Sequence, residues 1–334
     1  MHLLAPIGIS LIPVFVFLGS LMFLDTYKLI RVQRVVLAIA YGGVAAGLCY
    51  FANSFLFHHL GWSQTAFTHY VSPFVEEFTK AIFIVVLMAR NKIGFSVDAA
   101  IAGFSVGAGF AAVENVYYLS QLEGVGLITW FVRGFGTAVM HGGTTALLGI
   151  LTMHVSDRRE MPLAVAALVG LAAAYIFHAG FNHFPLRPVP MTLLQLAVLP
   201  AVVAIVFQRS EQYTQEWLGV GFDSDQELLA IIYEGRISES RVGKYMEGLR
   251  VQFPGEVVVD MLCYLRLYIE LSMKAKGTLL MQQAGFKVAP DPTLKPKFEE
   301  LDYLKGSIGR TGLLALAPFI HTSSRDLWQI HFVK

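Results

Sequence analysis

The stretch SPFVEEFTKAIFIVVLMAR, residues 72–90, sets Glu76, Glu77 and Lys80 in the first turns of a run that is otherwise apolar enough to cross a membrane. A charged side chain in hydrocarbon costs about 2.5–3.5 kcal/mol even on insertion scales, so each one is a candidate for function. Three later runs also carry polar groups: Glu114 and Asn115 in AGFAAVENVYY, His141 in GTAVMHGGTTALLG, and His178, Asn182 and His183 in AAAYIFHAGFNHF. Carboxylates and imidazoles together supply general acid–base chemistry and metal ligation. The spacing favours convergence. Lys80 stands four residues after Glu76 and three after Glu77, within reach of either carboxylate, and His178 and Asn182 share a helix face. One carboxylate is enough to neutralise Lys80, which leaves the other to be explained.

These residues need helices to hold them. Apolar runs of about 20 residues, the length that crosses about 30 Å of hydrocarbon, recur near 5–24, 35–56, 70–90, 97–120, 126–153, 161–183 and 190–208. The spacing predicts an all-α bundle of about seven spans, residues 1–209, followed by a mostly helical soluble domain, residues 210–334. The first run lacks a basic leader and a small-residue cleavage site, so it reads as an uncleaved span. Lys28, Arg31, Arg34, Arg90, Lys92, Arg158, Arg159 and Arg209 fall in loops on one side, whereas the opposite loops offer only Arg187. The excess of basic residues marks the cytoplasmic side, which puts the N-terminus outside and the C-terminal domain in the cytoplasm. In that orientation Glu76, Glu77, Glu114 and His178 lie about two turns from the outer ends of their helices and His141 lies nearer the middle, so the polar groups form one layer.

Composition narrows the function. Of the 334 residues 55% are hydrophobic and 15% charged, with a mean hydropathy of +0.57, which describes an integral membrane protein in contact with the lipid bilayer. The net charge of +1 provides no basic field for nucleic acid. Cys49 and Cys263 lie in unlike segments and imply no disulfide framework. In the C-terminal third, residues 256–286 read as one long helix stopped by a glycine, and residues 290–300 as a linker into another helix.

The motifs resemble those of the PrsW family of intramembrane proteases, relatives of the CAAX prenyl proteases. EEFTK (76–80) is similar to that family's EExxK, and FAAVEN (110–115), His141 and HAGFN (178–182) follow in the family's order, over about residues 65–185. Where the CAAX relatives carry FxxxH, this chain has Glu114 four residues after Phe110, so the resemblance gives no histidine base there. It implies an endopeptidase acting on membrane-anchored protein substrates. Glu114, His141 and His178 then supply a two-imidazole, one-carboxylate zinc ligand set, with Glu76 or Glu77 as general base, Lys80 holding the second carboxylate ionised, and Asn182 or Asn115 donating to the oxyanion. A metal-free glutamate mechanism is the first rival, and a proton-coupled transporter or channel with a Glu/His relay is the second.

Overall fold

The structure, a computed structural model, describes residues 4–25, 30–122, 124–158, 161–286, 288–289 and 291–320. Lys28 and Arg159, counted above among the loop charges, lie outside the described residues. The chain is helical, with no strand among the described residues. We number the long helices α1 (Leu4–Leu24), α2 (Val32–Leu60), α3 (Ser72–Ala89), α4 (Ser96–Gln121), α5 (Ala138–Arg158), α6 (Leu163–Asn182), α7 (Pro188–Tyr233), α8 (Arg241–Leu249), α9 (Gly255–Gln283) and α10 (Leu294–Leu316). Six segments are long and apolar enough to cross a membrane: Ala5–Leu24, Val32–Leu60, Ser96–Gln121, Leu127–Ser156, Leu163–Asn182 and Pro188–Glu216. Helix α3 is the seventh expected span, and Glu76, Glu77 and Lys80 are the charges that set it apart from those six.

The chain divides into two compact units, Met1–Ser210 and Glu211–Lys334, with the division inside α7. In the first unit α4 is the central helix, and residues 97–111 are buried without a break. Phe104, Ile101 and Ala108 pack with Val14 and Leu18 of α1, Ala138 of α5 and Val203 of α7, whereas Ala102 and Val106 meet Ile84 of α3, Leu148 of α5 and Ala174 of α6. Small residues make this possible. A Cβ built on Gly107 would lie 2.1 Å from the His141 carbonyl oxygen, and one on Gly42 2.0 Å from that of Val106. Backbones that close bring whatever α3 to α6 carry within side-chain reach.

Two π-helical segments, Phe67–Val71 and Val132–Thr137, run directly into α3 and α5, the helices that carry Glu76 and His141. Such segments re-aim the residues that follow and free carbonyl groups that need a donor in an apolar setting. Side-chain amides from other helices supply it. Asn182 Nδ2 donates to Thr68 O at 3.0 Å, and Gln195 Nε2 donates to Gly136 O at 3.1 Å.

In the second unit Met261, Leu265 and Tyr268 of α9 pack with Leu301 and Leu304 of α10 and with Leu228 and Ile232 from the end of α7. Lys276, 1% exposed, donates to Asp225 at 2.7 Å, and Ser272 donates to the same oxygen. Helix α9 stops before Gly285, whose φ of 84° only glycine adopts freely. Helix α10 begins at Leu294, inside the stretch that reads as a linker; Pro296 falls in its first turn, where no backbone N–H is required.

Candidate functional site

Glu77 lies at the centre of the polar cluster. Its Oε1 accepts from Lys80 Nζ at 2.6 Å, from Thr144 Oγ1 at 3.1 Å and from His178 Nδ1 at 2.7 Å. Both Glu77 and Lys80 are fully buried, and Glu77 Oε2 has no hydrogen-bond partner among the described residues. Lys80 Nζ also lies 3.2 Å from His141 Nδ1 and 4.9 Å above the Phe110 ring. This ammonium is therefore shared between a carboxylate, an imidazole and an aromatic face, which compensates its desolvation.

Adjacent residues on a helix point about 100° apart, and Glu76 occupies a different setting from Glu77. It accepts from Ser72 Oγ at 2.6 Å and Asn53 Nδ2 at 3.4 Å, and its Oε2 lies 3.8 Å from His178 Nε2. The His141 and His178 rings stand edge to face, 4.8 Å apart. One ligand atom from each of Glu76, His141 and His178 falls within 4.8 Å of the others. On the far side of His141, its Nε2 meets Glu114 Oε2 at 2.9 Å, and Glu114 Oε1 pairs with Arg133 Nη2 at 3.4 Å. Exposure rises across the cluster, from 0% for the Glu77 side chain to 14% for Glu76 and 26% for Glu114.

Glu76, Glu77, Lys80, Glu114, His141 and His178 thus meet from four helices. In the group of close ligand atoms Glu76 stands where the sequence offers Glu114. Both candidate amides have partners away from the imidazoles: Asn182 Nδ2 donates to Thr68 O at 3.0 Å, and Asn115 Nδ2 donates to Ser10 O at 2.8 Å while its Oδ1 accepts from Arg133 Nε at 2.9 Å. Arg133 has Glu114 and Asn115 as partners, and Glu123, the other residue near it in sequence, lies outside the described residues. Sequence reading passed over Ser72, Thr144 and Asn53. Ser72 stands one turn before Glu76 and Thr144 one turn after His141, so helical spacing is the signal that could have found both.

Among known families, the description "PrsW family intramembrane metalloprotease" matches residues 31–207, more than half of the chain and the whole of the polar cluster. Neither curated proteins nor solved structures yield a match. With four helices converging two imidazoles and three carboxylates inside an apolar bundle, and with that match spanning them, the chain belongs to the PrsW family of intramembrane metalloproteases.

Proposed function

We propose that this intramembrane protease cuts membrane-anchored proteins, as in regulated intramembrane proteolysis, and that Glu76, His141 and His178 hold a zinc ion. The observation that carries the reading is the approach of those three ligand atoms to within 4.8 Å of one another, from three different helices. Two imidazoles and one carboxylate form a common catalytic zinc set. Each imidazole has a carboxylate behind one nitrogen, His178 Nδ1 with Glu77 and His141 Nε2 with Glu114, which leaves His178 Nε2 toward Glu76 and His141 Nδ1 at 3.2 Å from Lys80 Nζ, where the ion would displace the ammonium. Such pairs fix ring orientation and raise ligand basicity. When bound, zinc supplies Lewis acidity and lowers the pKa of its water.

The residues of the chain divide the remaining tasks. Glu77, fully buried, orients His178 and is itself held by Lys80 and Thr144. Glu114 is the most exposed carboxylate of the cluster and serves as general base, taking a proton from the attacking water and passing it to the leaving amine. The Phe110 ring, 5.0 Å from that of His141 and tilted against it, gives the imidazole an apolar neighbour. The basic loops support an external N-terminus, a cytoplasmic domain from residue 210 onward and residence in the cell membrane.

The test combines metal analysis with proteolysis of single-span proteins in liposomes. Glu76→Gln and His178→Ala should lose both metal and activity. Glu114→Gln should bind the metal about 10–100-fold more weakly and, with metal saturating, lose about 10²–10⁴-fold in rate, the usual contribution of a general base. A fully active His178→Ala protein would overturn the zinc site in favour of a metal-free glutamate mechanism.

A further inference from the structure

Arg133 enters the membrane-spanning part of the chain in the π-helical segment before α5, and it is fixed on three sides. Its guanidinium carbon lies 3.7 Å from the centre of the Tyr118 ring, its Nε donates to Asn115 Oδ1 at 2.9 Å, and Asn115 is in turn anchored to Ser10 O of α1 at 2.8 Å. Its Nη2 is 3.4 Å from Glu114 Oε1, yet it is buried and has no hydrogen bond among the described residues. A planar, permanently charged fork held this firmly keeps one donor in reserve. Tyr118 stands one helical turn after Glu114, and Glu114, 26% exposed, is the most exposed carboxylate of the cluster, so the guanidinium paired with it lies at the cluster's more open edge.

Peptide hydrolysis requires such a donor. The water oxygen adds to the carbonyl carbon, one water proton passes to Glu114, and the carbonyl π pair moves onto its oxygen. Collapse of the tetrahedral species re-forms the carbonyl, breaks the C–N bond and returns the proton to the departing amine. A fixed donor aimed at the transient oxyanion is commonly the largest single catalytic contribution. The two side-chain amides each donate to a backbone carbonyl away from the imidazoles, and Lys80 is fully buried against Glu77. We infer that Arg133 is a further catalytic residue, whose Nη2 receives the carbonyl oxygen of the scissile peptide as it becomes an oxyanion. This rests on the peptidase reading above, in which Glu114 moves the proton: negative charge leaves Glu114 as it appears on the substrate oxygen, and one guanidinium faces both.

The experiment uses the full chain in proteoliposomes with a single-span peptide that it cleaves, selected by mass spectrometry from a library. Arg133→Gln should lower kcat about 10²–10³-fold, as removal of an oxyanion donor does, with KM and metal content unchanged. Affinity for a peptide phosphinate, a tetrahedral analogue, should fall by the same factor as kcat/KM, and added guanidinium ion should restore part of the rate to Arg133→Ala. Wild-type kcat in Arg133→Gln, or a loss confined to KM or metal content, overturns the assignment while leaving the peptidase intact. Should Arg133→Gln fail to fold, Arg133→Lys decides in its place: a kcat loss at unchanged KM supports the role and wild-type kcat overturns it. If no library member is cleaved and His178→Ala changes nothing, the peptidase reading itself has failed, whatever Arg133 does.

Discussion

The paired glutamates of α3 show how neighbours in sequence acquire different duties. Glu77 faces inward, with three donors on one oxygen and no exposure, and Glu76 faces the imidazoles with hydroxyl and amide partners. Removing one member of a buried ion pair leaves a desolvated charge and costs about 3–5 kcal/mol. With metal removed, Lys80→Met, which strips Glu77 of its cation, should therefore lower the melting temperature in detergent sharply, whereas Glu76→Gln should melt close to wild type. A wild-type melting temperature for Lys80→Met would mean that Lys80 contributes nothing to the fold. Residue types on the sequence already identified the charged cluster, because charge inside an apolar run is rare. Which carboxylate faces which imidazole depends on side-chain direction across four helices, and one helix's spacing carries no information on that.

At the scale of elements, α4 and α5 control the site because Glu114 and His141 sit on helices whose backbones nearly touch. Gly107 makes the contact, two turns before Glu114, and a methyl group there would lie 2.1 Å from the His141 carbonyl oxygen, where only backbone can yield. Gly107→Ala should push the two helices apart, lowering both thermal stability and proteolysis. Gly47→Ala on α2, where nothing lies within 4 Å of the added carbon, should behave as wild type. Activity and melting of Gly107→Ala equal to those of Gly47→Ala would show that the packing distance does not set the site. The π-helical turns before α3 and α5 were not legible in advance. Their hydrogen-bond pattern answers to Asn182 and Gln195 reaching across from other helices.

For the whole molecule, six helices are long and apolar enough to cross a membrane; the proposed topology adds α3 as a seventh crossing, an odd number that would put the two ends of the chain on opposite sides. A reporter fused after Lys334 should be protected in the cytoplasm, and one inserted at Gly61, the residue that caps α2, should be accessible from outside. Finding both reporters on the same side would remove α3 from the membrane, and with it the reason for the buried charges. The second unit has its own core, built from α8, α9, α10 and the end of α7.

The sequence by itself determined the membrane class, the succession of apolar helices, the change in composition near residue 210 and the identities of the charged residues within the bundle. Each of these depends on the length and polarity of a local run, which hydrocarbon thickness and charge burial read directly. Only the tertiary structure decided that Glu76, rather than Glu114, joins the two imidazoles within 4.8 Å, that Asn182 caps a π-helical carbonyl, and that Arg133 stands beside Glu114 with a buried donor to spare. These outcomes depend on how far each helix turns against its neighbours and how closely glycines let backbones approach, and both quantities are set by contacts between residues far apart in the chain.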